Sequence, residues 1–251
     1  MHQYFEINQN ENNICCKIYC QNKKDIKRIV IFCHGFVANK DYDAAEIFAN
    51  QLLLKYEDAA VVSFDWPCHG DDEKKNLCLG DCNSYLNQVI SWLKQEFQTE
   101  ELYVYGASFG SYLTLKYISE NGNPFRKIAL CCPAVNMYDV LTKVIMTSDD
   151  FEKLEIVEAV PVGFDYKVPV GYAFLDELKK NGVQGMNYVD YAKNILIIHG
   201  TSDEIVPFDV VHAFAKNNSI NFVPIADADH RFLDADKMEQ VVQNILEFYE
   251  L

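Results

Sequence analysis

A serine between two glycines, Gly106-Ala107-Ser108-Phe109-Gly110, directly follows the apolar run Leu102-Tyr103-Val104-Tyr105. The pattern G-x-S-x-G suits a turn from strand into helix that is sharp enough to present a serine hydroxyl at the top of a sheet. Side chains at positions 106 and 110 would collide in such a turn. The run after it, Ser111 through Leu113, Leu115 and Ile118, reads as a helix. Ser108 is then at a helix N-terminus, where peptide dipoles favour developing negative charge. A serine hydroxyl is a poor nucleophile near neutral pH and needs a histidine base, itself oriented by a carboxylate. Two later loops offer them: His199 to Pro207 after the run Ile195–Ile198, and Ala226 to Phe232 after Asn221–Ile225. Taking Ser108, Asp203 and His230 gives the order serine, acid, histidine that accompanies this kind of nucleophile turn. Glu204 and Asp229 are adjacent alternatives; Asp203 is preferred, with Glu204 the main competitor.

Such residues need strands that end together, and the chain supplies them. Arg28–Cys33 and Ala59–Phe64 are short apolar runs of the kind buried on both faces of a parallel sheet, and Leu102–Tyr105, Lys127–Cys132, Ile195–Ile198 and Asn221–Ile225 read as further strands. Between them, Asp43–Tyr56, Cys82–Phe97, Phe208–Lys216 and Asp236–Tyr249 carry apolar residues at helical spacing. Strand and helix alternate, which predicts an α/β fold with a mostly parallel central sheet and helices on both faces. Two β-prone segments, Tyr4–Ile7 and Ile14–Tyr19, flank the turn-rich Asn10–Asn13 and predict an edge hairpin. The alternation lapses from about 134 to 193, so a single domain spanning 1–251 with a small cap insertion there is expected. In that insertion the helical stretch Tyr138–Met146 and a two-stranded excursion over Val160–Val170 place Met146, Phe164, Tyr166 and Tyr172 as candidates to line a substrate pocket.

Composition narrows the function classes. The formal net charge of −15 repels phosphate backbones and anionic bilayers, so neither nucleic acid nor membrane is an expected partner. Nine cysteines are scattered without a C-x-x-C pair, several of them inside apolar runs. Free thiols in a reducing compartment fit that pattern better than a disulfide framework. The opening residues lack the regions of a signal peptide and no apolar run approaches a membrane span, so a soluble, cytoplasmic protein is expected. Metal readings are weak: Cys78 and Cys82 with His69 lack a second ligand pair, and His34, His69 and Asp65 form no recognised zinc or iron pattern. No metal or other cofactor is expected, and the oligomeric state is left open.

Taken together, His34-Gly35-Phe36, Asp65 to Gly70, Gly106 to Gly110, His199 to Pro207 and Asp229-His230 resemble the α/β-hydrolase family, and within it small bacterial serine esterases of the cinnamoyl and feruloyl esterase type. The resemblance runs over nearly the whole chain and is weakest before Lys27 and between Ala134 and Lys193. It implies that Ser108 attacks an acyl carbon, that His230 takes and returns the proton, and that Asp203 holds the imidazole in the needed tautomer. It also implies an oxyanion hole made by the backbone N–H groups of Phe36 and Phe109. One motif departs from the pattern: such esterases commonly read Asp-x-x-Gly-His-Gly-x-Ser, whereas this chain has Cys68 for the glycine and Asp72 for the serine. The expected activity is hydrolysis of a small-molecule carboxylic ester, short acyl or aryl, through an acyl-enzyme. The same residues could instead serve a thioesterase or a peptidase/amidase, and a catalytically silent binding module is the competing class.

Overall fold

The computed structural model describes residues 2–10, 12–164 and 166–250. The chain opens with the predicted hairpin, β1 (His2–Gln9) against β2 (Asn12–Cys20), with Ile7 opposite Ile14. Glu11 lies outside the described residues. Then come β3 (Arg28–Cys33), α1 (Asp43–Lys55), β4 (Ala59–Phe64), α2 (Leu79–Phe97), β5 (Glu101–Ala107), α3 (Phe109–Asn121) and β6 (Lys127–Cys131). The stretch before the next core strand holds α4 (Met137–Val140), which widens into a π-turn over Leu141–Ile145, then α5 (Ser148–Leu154), the small ribbon β7 (Val160–Gly163) and β8 (Lys167–Val170), and α6 (Tyr172–Lys180). Neither α5 nor α6 is anticipated by the spacing argument. Both are short: α5 starts on a capping box at Thr147 and Asp150, and α6 buries only Phe174, Leu175 and Leu178. Alternation resumes with β9 (Ile195–Gly200), α7 (Phe208–Asn217), β10 (Asn221–Ile225) and α8 (Ala235–Tyr249).

Eight strands form one sheet in the order β1-β2-β4-β3-β5-β6-β9-β10. All pairs from β4 to β10 are parallel; β2 alone runs against them, since β1 is antiparallel to β2 and so shares their direction. Every residue of β4 and of β9 is buried, which is why these strands read as continuous apolar runs. Strand geometry sends alternate side chains to opposite faces. On β5, Leu102 and Val104 join the core beneath α2, α3 and α7, while Tyr103 and Tyr105 join the core beneath α1 and α8. The α1/α8 core is closed by the stripe Met238, Val241, Val242, Ile245, Leu246 and Tyr249 that the spacing of α8 predicts. All nine cysteines are free, and seven of them are buried. No described helix is long and apolar enough to cross a membrane.

Parallel connections bring the strand ends to one rim, and two loops there are tied by a buried carboxylate. Asp65, just after β4, accepts the backbone N–H of Lys40 at 2.7 Å and that of Asp71 at 3.0 Å, with the Lys40 ammonium 3.3 Å away. The loop after β3 is thereby held to the loop after β4. Cys68 adopts φ +66°, the left-handed region that favours glycine, which accounts for the glycine usual at that position in the resembling esterases. Asp72, where a serine is usual, accepts the Cys68 N–H at 2.7 Å and the Tyr85 hydroxyl at 2.6 Å, so it braces the same turn from inside.

Helix α3 lies so close to the end of β3 that a Cβ at Gly110 would come within 2.0 Å of the Cys33 carbonyl oxygen. Backbone against backbone leaves nothing flexible to move aside. Gly110→Ala is therefore expected to lower the unfolding free energy by about 1–3 kcal/mol or more. Gly80→Ala, on a helix position with no atom within 4 Å, should raise it slightly. Urea unfolding of the two variants checks the contrast.

Candidate active site

Ser108 is the residue between β5 and α3, with φ +49° and ψ −110°. A non-glycine residue in that region carries strain of order 1–3 kcal/mol and persists only when its surroundings over-determine it. Here they do: the Ser108 N–H donates to the Cys131 carbonyl at 2.9 Å, and its own carbonyl accepts from Tyr112 at 3.1 Å and Ala134 at 3.3 Å. The result is the strand-turn-helix expected from the glycine spacing.

The loops after β9 and β10 bring the other two residues to it. His230 Nε2 lies 3.0 Å from Ser108 Oγ, and His230 Nδ1 lies 2.8 Å from Asp203 Oδ2. With Nδ1–H donating to the carboxylate, Nε2 is left to accept the serine proton. The second Asp203 oxygen accepts the backbone N–H groups of Ile205 at 2.9 Å and Val206 at 2.8 Å. The Asp203 side chain is fully buried, and burial alone would raise its carboxyl; the His230 contact and the loop N–H outweigh that and hold it below the usual carboxylate range. Glu204 points elsewhere and accepts the His230 backbone N–H at 3.2 Å, so it braces the histidine loop rather than the ring. Asp229 likewise spends its carboxylate on the N–H groups of Arg231 and Leu233.

Phe36 and Phe109 flank the serine. Phe109 is the first residue of α3, so its N–H has no intrahelical partner. Gly35 runs past Ser108 so closely that a Cβ there would sit 3.4 Å from the serine Cβ, which puts the peptide leading into Phe36 beside the hydroxyl. The two phenyl rings pack edge to face at 5.8 Å and are both buried. A hydroxyl bonded to an imidazole, backed by a carboxylate and bordered by a helix N-terminus, can lose its proton to the ring as its oxygen attacks an electrophilic carbon.

Ser108 opens into a cavity of about 500 Å³. Of the four residues proposed for its lining, Phe164 is in place, at the tip of the β7–β8 ribbon beside the undescribed Asp165. Met146, Tyr166 and Tyr172 are not among its lining residues. The π-turn, closed by the Met146 N–H on the Leu141 carbonyl at 2.9 Å, departs from α-helical spacing; Ile145 faces the cavity and Met146 enters the core. Tyr166 turns its hydroxyl to the Gly70 carbonyl at 3.3 Å, and Tyr172 turns outward to Glu155 at 2.8 Å.

Two neighbours of Asp203 escape a reading by motif. His199 Nε2 is 3.1 Å from the Val206 carbonyl and 3.5 Å from Asp203 Oδ2, and burial pushes its pKa down. Cys132, at φ +44°, brings its sulfur within 4.8 Å of the Asp203 and His230 ligand atoms. Burial and then Asp203 push that thiol well up, so it stays protonated. Of the residues weighed for metals, Asp65 is engaged with the amides above, His34 with the Gly35 carbonyl at 2.8 Å, and Cys78 as the cap of α2.

Because the folded Asp203 carboxyl binds its proton less tightly than an unfolded aspartate, near 3.9, its contribution to stability is present above that value and lost as pH falls through the folded one. The stability gap between wild type and Asp203→Asn, measured by urea unfolding, should therefore narrow as the pH drops below about 4. A gap that widens on acidification would contradict the assignment.

Comparison with known proteins agrees with this architecture. Residues 28–160 match the family model for the alpha/beta hydrolase fold. A lysophosphatidylserine lipase of Danio rerio is 22% identical over 226 residues, covering 82% of this chain and 54% of the relative, so the chain spans about half the length of that protein. Among solved structures, Est1E from Butyrivibrio proteoclasticus with ferulic acid bound superposes with a TM-score of 0.77 at 17% identity, covering 98% of this chain and all 100% of the other. XC6422 from Xanthomonas campestris, an α/β serine hydrolase without a lid, gives 0.66 at 14% identity over 99% and 94% of the two chains. At such identities the structural likeness speaks for the fold alone. With more than half of its length matched by the family model, the chain belongs to the α/β-hydrolase fold family.

Proposed function

We propose that this protein is a serine hydrolase that cleaves carboxylic esters of short acyl or aryl acids, with Ser108 as nucleophile, His230 as general base and acid, and Asp203 as the carboxylate that orients it. The observation that carries the reading is the unbroken hydrogen-bonded chain from Ser108 through His230 to Asp203, opening on an apolar cavity. In the first half-reaction Ser108 Oγ adds to the ester carbonyl as its proton passes to His230 Nε2. The carbonyl oxygen gains negative charge and is met by the N–H groups of Phe36 and Phe109. Preorganised donors of this sort are typically worth about 100- to 1,000-fold each in turnover. His230 then protonates the departing alcohol. Water, deprotonated by the same nitrogen, releases the acid and restores Ser108.

The ferulic acid held by Est1E and the lipase name of the zebrafish relative both suggest ester chemistry, and they mark two ends of a substrate range. The size of the cavity favours a compact acyl or aryl group over a long chain. Nine free thiols suit a reducing compartment, so a cytoplasmic location belongs to the same proposal, as does a small-molecule ester for partner.

Fluorophosphonate labelling of Ser108 tests whether the site is active at all. Matched esters, thioesters and amides, with ferulate and lysophosphatidylserine included, then test the bond and the acid. Turnover confined to lysophosphatidylserine, or greater on thioesters, would replace the short-ester reading. Ser108→Ala should lower kcat on the order of 10⁶-fold while leaving the fold intact. Asp203→Asn should lower it by up to about 10⁴-fold through the wrong histidine tautomer. Glu204→Gln should be far milder; the reverse order of severity would move the acid to Glu204.

A further inference from the structure

The cavity at Ser108 is not confined to the side of the sheet that carries the 134–193 segment. Phe36 belongs to the core beneath α2, α3 and α7, and Ile145 and Ile205 pack against that core. Much of the remaining wall comes from the opposite core: Tyr42 and Ala44 at the start of α1, Tyr105 from β5, Cys131 from β6, and Phe232 and Met238 from the start of α8 and the loop before it. The cavity therefore passes over the end of the sheet beside Ser108 and descends into the layer between α1 and α8. This lower lobe is nearly closed. Ala44, Tyr105, Cys131 and Met238 are all less than a tenth exposed.

We infer that this lower lobe, walled by Ala44, Tyr105, Cys131, Phe232 and Met238, is the subsite for the acyl group of the substrate, taking an unbranched or aryl hydrocarbon chain of limited length. The inference rests on the ester-hydrolase reading of Ser108 and deepens it. Chemistry assigns the two halves of an ester to different kinds of space. The alcohol must leave before water enters, so it belongs on the open side; the acyl group stays bonded to Ser108 Oγ between the two half-reactions and can occupy a dead end. The wall suits hydrocarbon: it carries no formal charge below the rim, its polar side-chain atoms are the Tyr105 hydroxyl and the Cys131 thiol, and apolar surface buried there is removed from water at about 25 cal/mol per Å². Two of its lining residues, Ala44 and Cys131, are small, and a third, Met238, is flexible and adapts to different fillings.

Two variants separate lobe from cap. Ala44→Phe puts a ring into the lobe, and Met238→Ala lengthens it. The measurement is kcat/KM over p-nitrophenyl esters from acetyl through butanoyl and octanoyl to palmitoyl, and over acetate esters of alcohols of the same lengths. In wild type the acyl optimum should lie inside the series, short of palmitoyl. Ala44→Phe should cut the ratio of octanoyl to acetyl ester by about tenfold or more, and Met238→Ala should raise it, the size expected when a few methylenes gain or lose a fitted apolar pocket. Neither variant should alter the ranking of the alcohol series. A shift in the alcohol series instead, or an acyl ranking the same in both variants as in wild type, overturns the inference.

Should Ala44→Phe fail to fold, Met238→Ala decides by itself: a ratio that stays or falls overturns the inference. A second readout is independent of turnover. Octanoate titrated into Ser108→Ala by calorimetry should bind, and at least about tenfold more weakly once Ala44→Phe is added. No binding, or binding indifferent to position 44, overturns the lobe even if esters are cleaved. Binding that responds to position 44 in a protein that cleaves none of the esters upholds the lobe as an apolar acid site and rejects the hydrolase reading.

Discussion

The contact on which the site depends is the bare backbone approach of α3 to the end of β3. Gly110 stacks on the Cys33 carbonyl with no room for a methyl group, and a Cβ on Gly106 would lie 3.0 Å from the Cα of Ser111. These two clearances let the chain reverse from strand to helix within one residue, and that residue is Ser108 at φ +49°. The strain is not relieved locally; it is held by the N–H and carbonyl of Ser108 bonding to the next strand and its loop. The same approach puts the first N–H of α3 next to the loop carrying Phe36. Turn geometry and donor placement are therefore one constraint.

A second layer of control is electrostatic. The acidic chain places a carboxylate in full burial at Asp203 and keeps it ionised with two backbone N–H groups and an imidazole. Removing one partner of such a buried, charged group leaves a desolvation penalty of several kcal/mol. Glu204 and Asp229, one residue from Asp203 and His230 respectively, are spent on backbone N–H groups of the histidine loop. Three neighbouring acids thus have three different tasks. Asp65 repeats the device elsewhere on the same rim, where its two oxygens fasten the loops after β3 and β4.

Much of this was legible in the sequence because it follows from period and punctuation. Buried parallel strands must be short and apolar, and the five internal ones, β3, β4, β5, β6 and β9, were; α8 declared its face by spacing alone. The order of Ser108, Asp203 and His230 along the chain was likewise readable, since each follows a strand. What was not legible depends on packing between distant segments. Nothing in the local pattern told that Leu141–Ile145 would widen into a π-turn and exchange Ile145 for Met146 at the cavity. Nor could spacing reveal that Ala44 and Met238, both on helix faces that read as ordinary core, would border a space rather than fill it. Cys68 and Asp72 looked like mere departures from a pattern; the left-handed backbone of one and the hydrogen bonds of the other show how the turn accommodates them.

The cavity has walls of two very different kinds. On one side stands Phe164, more than half exposed at the tip of a ribbon of two four-residue strands, where a replacement disturbs little else. On the other stand residues that also hold α1 and α8 to the sheet, where any change of size must be answered by neighbours. Among descendants of this sequence the ribbon side can drift rapidly, whereas the helix side changes only through compensated pairs. A lineage adapting to a new ligand would therefore record its early history in the ribbon and its later, slower history between the helices.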